Sequence, residues 1–474
     1  MQRYSYAIAA ILLSGFAYFF TTGFYAVWWL AWLAPVPLLL YSLRFSLKST
    51  LLVAFLSGLI GNANTFYYLS TFLPVKLQVL GWLSGALSLC LLFALSKLLM
   101  RYAARSLAIF AFPILSVLFE YITSFSSSGA LSSYAYSQMS FIPAIQIASL
   151  TGYYGVTFLL SLFAAGLSIA IYYRQSIRPY FVSLVVVIIL VIGCLCFGFY
   201  RVATWQPSGS LKVAMVAEPE NVQNLMRKDK ANALALSHRY ANSINRQKGK
   251  GVSLVVLPEK NIKVTQATRA LVQTQFSAIA KNVQAYLVVG IDELSEKQKR
   301  NIAWVFNPQG QLLGTYDKEH MLPGPESGYR MGKNLLVFNV HGYKVGVIIC
   351  KDGDFVSPAI RYSQEGINLL VVPALDFNID AWLHSRPAMM RAIEGNYSLV
   401  RVAQWGLLLS MTPIGEVIGH LHTNDKTPSI LISDVPLGQG NSVFSARLNW
   451  FVGLMGLLLV VMLISIVLRR ENDD

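Results

Sequence analysis

Lys344-Val345-Gly346-Val347-Ile348-Ile349-Cys350-Lys351-Asp352 is an apolar run that stops on a cysteine followed by two charged residues. Short apolar runs rich in β-branched residues, set between turn residues, form buried strands. A tight His341-Gly342-Tyr343 turn leads back from this run to another, Leu335 to Val340. Two more polar residues end runs of the same kind. Glu259 follows Leu254-Val255-Val256-Leu257-Pro258, and Lys318 lies in Tyr316-Asp317-Lys318-Glu319-His320, just past a strand around Leu312–Gly314. Ligands bind at strand ends in α/β sheets.

Singly, these residues carry little. Solvation explains most glutamates and lysines, and a cysteine that ends an apolar strand is usually core. Together they hold the parts of an acyl-transfer site, with Cys350 as nucleophile. A thiol becomes a strong nucleophile on losing its proton, and a carboxylate at hydrogen-bond reach takes that proton. Attack on an acyl carbonyl creates an oxyanion, which requires a fixed positive charge or N–H donors. Lys318 supplies the charge and the backbone N–H of Lys351 a donor.

The polar region around these motifs, about 201–447, alternates between strand and helix patterns. Strands are expected at Leu211–Ala217, Val252–Leu257, Tyr286–Ile291, Ile302–Phe306 and Leu369–Val372, and near 398–403, 407–411, 417–421 and 430–435. Helices are expected at about 222–247, 265–282, 358–366 and 384–396. Such a mixture predicts an α/β layered domain, helices covering sheets.

The rest of the chain is apolar. Of 474 residues, 55% are hydrophobic and only 13% charged, a composition that leans towards a membrane protein. A membrane span needs about 20 mostly apolar residues. Seven such runs, about 4–20, 24–43, 50–73, 79–100, 107–124, 151–173 and 181–200, precede the polar region, and an eighth at about 448–468 follows it. The expected organisation is a seven-helix membrane domain (1–200), a polar domain (201–447), and an eighth helix with a tail (448–474). The first run lacks a small-residue cleavage site, so it reads as a retained span. With the N-terminus in the cytoplasm, Arg3, Arg44, Lys48, Lys97, Arg101, Arg105, Arg174, Arg178, Arg469 and Arg470 all fall inside, and the short outer loops hold only Lys76. The positive-inside rule then sets the polar domain outside the cytoplasm. Glu120, near the outer end of the fifth run, reads equally as a functional carboxylate or as one bonded to a neighbouring helix.

The net charge of +15 is spread along the chain, with no lysine or arginine run of the length a nucleic-acid patch needs. Cys90, Cys194 and Cys196 lie in apolar runs, which argues against a disulfide framework. The histidines show no ligand spacing, so no metal is expected. Neither repeated halves nor paired broken helices point to a transporter.

The polar region resembles the nitrilase (carbon–nitrogen hydrolase) superfamily, which carries a Glu-Lys-Cys triad on an αββα sandwich. The resemblance rests on Leu257-Pro258-Glu259, Tyr316-Asp317-Lys318-Glu319-His320 and Gly346-Val347-Ile348-Ile349-Cys350-Lys351-Asp352. Gly366 to Pro373, Arg391 to Asn396 with Leu399-Val400-Arg401, and Pro413 to Val417 look like later family segments. A nitrilase-like domain between seven spans and one is the arrangement of the apolipoprotein N-acyltransferases. Ala135-Tyr136-Ser137-Gln138, Ile145 to Leu159 and Phe119-Glu120-Tyr121 resemble that family's membrane part.

The resemblance implies a bacterial cytoplasmic (inner) membrane enzyme with its catalytic domain on the periplasmic side. It implies a phospholipid as acyl donor, a thioester on Cys350, and the α-amino group of a diacylglyceryl-cysteine apolipoprotein as acceptor. Glu259 would be the general base and acid, Lys318 would stabilise the oxyanion, and Glu326, eight residues beyond Lys318, would support both. Asp380-Ala381-Trp382 resembles a segment on a mobile arm near the active site, which makes Trp382 a candidate for substrate contact; Lys351, at the family's aromatic position after the nucleophile, is a second candidate. The lipid supplies the activated acyl bond, so neither metal nor other cofactor is expected, and a monomer holds every catalytic residue. Lys351 and Asp352 stand where the family usually has an aromatic residue and then Glu. That departure leaves room for a membrane-tethered nitrilase-type amidase or thioester hydrolase. A non-catalytic scaffold that keeps the domain is a third reading, set against the presence of all three triad residue types.

Overall fold

The computed structural model describes residues 2–21, 23–71, 73–220, 230–295 and 298–473. The chain forms two units, Met1–Thr204 with Arg447–Asp474, and Trp205–Ala446.

The first unit is helical. Among the described residues, four helices are long and apolar enough to cross a membrane: Val75–Tyr102, Tyr153–Tyr172, Arg178–Thr204 and Trp450–Leu468. Leu47–Gly61 and Ala63–Leu69 form a pair bent by 42°, a fifth if counted as one span. Several apolar runs are less continuous than their hydropathy implies. The run expected at 24–43 divides into Trp28–Leu33 and Val36–Arg44, with Pro35 at the junction. Proline lacks the N–H that would carry a helix through that point. The fifth run holds a 13-residue helix, Ala111–Thr123. Tyr153–Tyr172 has most of its surface buried inside the unit, whereas the other three long helices leave most of theirs exposed. Glu120 bonds to its neighbours: its carboxylate accepts from Ser133 Oγ (2.8 Å) and Thr157 Oγ1 (2.6 Å), tying the helix Ala111–Thr123 to Tyr153–Tyr172.

The second unit is built on two sheets. The first has the order β13-β1-β2-β4-β5-β6, from Ser429–Pro436 (β13), Ser210–Ala217 (β1), Leu254–Val256 (β2), Tyr286–Leu294 (β4), Lys299–Phe306 (β5) and Leu312–Asp317 (β6). Ile262–Thr265 (β3) pairs with the distal part of β4, Ile262 opposite Ile291. The second sheet has the order β12-β11-β10-β9-β8-β7, from Val417–His422 (β12), Leu407–Met411 (β11), Ser398–Gln404 (β10), Leu369–Leu375 (β9), Tyr343–Val347 (β8) and Val337–Val340 (β7). Strands β8, β9 and β10 run parallel. Parallel neighbours require crossover segments, here the helices Ala359–Gln364 and Ala381–Gly395.

Helices cover the outer face of the first sheet. Lys230–Asn245 turns Ala233, Leu236, Tyr240 and Ile244 inward at helical spacing, and Arg269–Val283 adds Val272, Phe276, Ile279 and Val283. The part of the expected helix 222–247 that falls on 221–229 lies outside the described residues. The two sheets touch directly. Ser410 Oγ on β11 meets Ser433 Oγ on β13 at 2.9 Å, and Gln404 Nε2 at the end of β10 donates to Glu218 O just beyond β1 (3.1 Å). Two sheets with helices outside form the αββα layering of a nitrilase-like domain.

Candidate active site

The three strand ends singled out in the sequence meet. Glu259 follows β2, and its N–H donates to Ala374 O on β9 of the other sheet (3.2 Å). The next turn lies so close to β4 that a Cβ on Gly290 would come within 2.0 Å of Pro258 O, so that position needs glycine. Lys318 follows β6, and its N–H donates to Asn301 O on β5 (3.0 Å). Cys350 follows β8 with φ +44°, a left-handed conformation that is strained for an L residue and typical of functional turns.

Lys318 Nζ lies between two carboxylates, 2.7 Å from Glu259 Oε1 and 2.9 Å from Glu326 Oε2. Asn301 Nδ2 bridges the same pair, donating to Glu259 Oε1 (2.6 Å) and Glu326 Oε1 (2.7 Å). Leu322 N–H adds a bond to Glu326 Oε2 (2.7 Å), and Lys260 Nζ forms an ion pair with Glu326 Oε1 (2.6 Å). Glu259, Lys318 and Glu326 are all buried. Burial opposes ionisation of Glu326, but Lys318 and then Lys260 outweigh it and hold the carboxyl down to about 2. Burial likewise works against the Lys318 ammonium, yet Glu259 and Glu326 raise it well above the usual lysine range, so it stays charged. Burial and then the Glu259 charge push the Cys350 thiol well above its ordinary value, against the opposing pull of Lys318. At neutral pH the sulfur is therefore held as a thiol, within electrostatic reach of Glu259 and Lys318. It lies 3.9 Å from Leu375 O.

Asp352 joins the loop of the lysine to the turn of the cysteine. Its fully buried carboxylate accepts from Tyr316 Oη (2.8 Å), Glu319 N (3.1 Å), His320 N (2.7 Å) and Ile349 N (3.1 Å). The His320 ring stacks on Phe355 with centroids 3.7 Å apart. Near Cys350, Arg401 grips Asp376 with two bonds of 2.7 and 2.6 Å, both residues buried.

Two candidates are placed differently. The Lys351 side chain is buried, its Nζ 3.4 Å from Asp354 Oδ2 and 5.6 Å from the centre of the Phe355 ring. Trp382 packs its ring 5.4 Å from that of His420 on β12. Among the described residues it takes part in none of the hydrogen bonds or ion pairs of the Glu259–Lys318–Glu326 cluster. Sequence reasoning missed Asn301 and Lys260. The available signal for Asn301 was an uncharged polar residue leading the continuous apolar run Ile302–Phe306 of a strand buried on both faces.

Two family descriptions match the chain: apolipoprotein N-acyltransferase N-terminal domain over residues 14–166, and carbon-nitrogen hydrolase over residues 212–443. The apolipoprotein N-acyltransferase of Geobacter metallireducens is 26% identical over an alignment covering 88% of this chain and 87% of its own. The omega-amidase NIT2 of Homo sapiens is 29% identical over 34% of this chain and 66% of its own. A mutant of the Nesterenkonia AN1 amidase from the nitrilase superfamily aligns in structure with 18% identity and a TM-score of 0.42, covering 48% of this chain and 92% of that one. Carrying both domains in this order, with a relative aligned along most of both lengths, the chain belongs to the apolipoprotein N-acyltransferases, membrane acyltransferases built on a carbon–nitrogen hydrolase domain.

Proposed function

We propose that this enzyme moves an acyl chain from a membrane phospholipid to the α-amino group of a diacylglyceryl-cysteine apolipoprotein, with Cys350 holding the chain as a thioester. The observation that carries the mechanism is the Lys318 ammonium held between Glu259 and Glu326, with the half-buried Cys350 thiol feeling the charges of both Glu259 and Lys318. As the sulfur attacks the ester carbonyl, Glu259 accepts its proton. Lys318 Nζ and the N–H of Lys351 stabilise the oxyanion. Collapse expels the lysophospholipid alkoxide, which takes the proton from Glu259. The amine then attacks the thioester, Glu259 removes its proton and returns it to the departing sulfur, and the amide product leaves. The thioester divides one difficult transfer into two easier ones. Glu326 acts through Lys318 as a positioning residue.

Both substrates carry acyl chains, which suits an enzyme with eight spans and its catalytic domain, residues 201–447, outside the cytoplasm of the inner membrane. The distribution of lysine and arginine supports that orientation. The buried Lys351 and the amidase relatives favour a second reading, hydrolysis of another acyl substrate. The N-terminal domain match weighs against it.

Intact-mass spectrometry after incubation with phospholipid tests the proposal. An acyl adduct is expected on Cys350, the domain's single thiol, and it should disappear when a diacylated lipopeptide is added and becomes triacylated. Cys350→Ala should give neither. Fatty acid released without lipopeptide acylation would establish the hydrolase instead, and an adduct in Cys350→Ala would remove the triad.

A further inference from the structure

We propose that Lys260, the residue directly after Glu259, is a positioning residue that completes the charge balance of the active site and sets the pH at which Cys350 is activated. The inference rests on the assignment of Glu259, Lys318 and Cys350 above.

Neighbouring residues in an extended chain point to opposite sides. Lys260 departs from this because its φ is +49°, a left-handed conformation unfavourable for a residue with a Cβ. The conformation is fixed from both sides: Glu259 N–H is bonded to Ala374 O, and Asn261 N–H to Gly290 O (3.1 Å). In consequence Glu259 and Lys260 send their side chains into one cluster. Glu259 reaches Lys318, and Lys260 reaches Glu326 at 2.6 Å.

The Lys260 ammonium also lies 4.4 Å from the centre of the Tyr329 ring, whose hydroxyl donates to Asp292 Oδ1 (2.9 Å). Lys299 stands 5.9 Å from the centre of that ring, and Lys263 lies 3.9 Å from Asp292. The Lys260 side chain is only 16% exposed, so water screens it little.

The core of the site thus holds two carboxylates, Glu259 and Glu326, and two ammoniums, Lys318 and Lys260. Without Lys260 the Lys318 ammonium alone would serve both carboxylates. A net negative cluster resists every further negative charge, whether on the base or on the attacking sulfur. Neutralising Lys260 should therefore move the acidic limb of the rate profile to higher pH. Merely loosening the loop would lower the rate without moving the limb.

The test measures the pH dependence of acyl-enzyme formation from phospholipid in the full-length, detergent-solubilised enzyme. Lys260→Met keeps the side-chain length, and Lys260→Gly removes both the charge and the backbone strain. In both, the limb should move up by about one pH unit, the scale of one nearby charge in a partly buried site. Lys260→Arg should restore the wild-type limb. An unmoved limb in the neutral variants, whatever their rate, overturns the proposal, as does a shift in Lys260→Met absent from Lys260→Gly. An adduct that still forms in Cys350→Ala would instead sink the triad assignment on which this inference rests.

Discussion

Asp352→Asn should disable the enzyme while leaving every triad residue in place. Four donors converge on this carboxylate: Tyr316 Oη and Ile349 N on Oδ2, and Glu319 N and His320 N on Oδ1. An amide of the same shape keeps one oxygen and turns an NH2 group towards the other two donors. Hydrogen bonds to a charged group contribute about 1.5–3 kcal/mol each, so losing two costs about 3–6 kcal/mol before relaxation and roughly 3 kcal/mol after it. Those bonds hold the Tyr316–His320 loop, which carries Lys318, against the turn of Cys350. If the cost falls on that alignment, acyl-enzyme formation slows about 100-fold, at 1.36 kcal/mol per factor of ten. Tyr316→Phe is the graded control. It removes one donor and leaves the charge, so on the same scale it should cost about 1.5 kcal/mol and about tenfold in rate. Single-turnover formation of the acyl adduct gives the rate, and denaturant melting in detergent gives the folded fraction. An Asn variant that is folded and within about threefold of wild type would refute the claim that Asp352 aligns the two loops.

Arg401→Met should destabilise the catalytic domain by about 3–5 kcal/mol, because it leaves Asp376 buried without its bidentate partner. The double variant with Asp376→Leu should recover most of that loss in denaturant melts, and no recovery would defeat the pairwise account. The segment 377–384 should loosen as pH rises. His384 Nε2 lies 2.9 Å from Asp380 Oδ2, and Asp380 Oδ1 accepts from Phe377 N (3.0 Å). Burial lowers His384, but the hydrogen bond and charge of Asp380, with Asp376 and Asp354 behind it, raise it above the usual histidine range. Burial raises Asp380, yet His384 outweighs it and brings the carboxyl below its ordinary value. A raised histidine stabilises fully below its unfolded pKa of about 6.5 and loses that contribution as pH climbs through the folded value. A lowered aspartate loses its contribution only as pH falls through its own folded value. Hydrogen exchange of 377–384, corrected for intrinsic rates, should therefore speed up on the alkaline side. His384→Gln should remove the dependence, and equal protection at pH 6 and pH 9 in wild type would contradict it.

What the sequence revealed follows from what each signal measures. Glu259, Lys318 and Cys350 were legible because each ends an apolar run, and an apolar run between turn residues has few alternatives to a buried strand. Glu326 was legible only through its spacing from Lys318 in a resembling family, since nothing local distinguishes it from a solvated glutamate. Lys260 looked like an ordinary surface lysine after a strand, because a left-handed φ leaves no trace in composition. Asn301 was hidden for a similar reason: one polar residue leading into β5 looks like the strand's edge, although it lies between two carboxylates. Hydropathy found the apolar runs but not their breaks at Pro35 and Asn62, because it counts side-chain apolarity and takes no account of whether the backbone continues. Pro35 was open to view, and the bond it removes was the sign to weigh.

The same electrostatics explain why the sulfur rests as a thiol. A preformed thiolate would add a second negative charge near Glu259, and desolvation with that charge outweighs the opposing pull of Lys318 and Arg401. Desolvation makes that state costly until a carbonyl arrives to spread the charge. In the proposed reaction the proton moves to Glu259 as the carbon–sulfur bond forms, so the new negative charge appears on the carbonyl oxygen rather than remaining on sulfur. A fixed ammonium stabilises an oxyanion at that point without reorganising. Activation of the nucleophile is thereby coupled to the presence of an acyl group. Under the proposed transfer, that coupling keeps the sulfur inert until an acyl donor is bound.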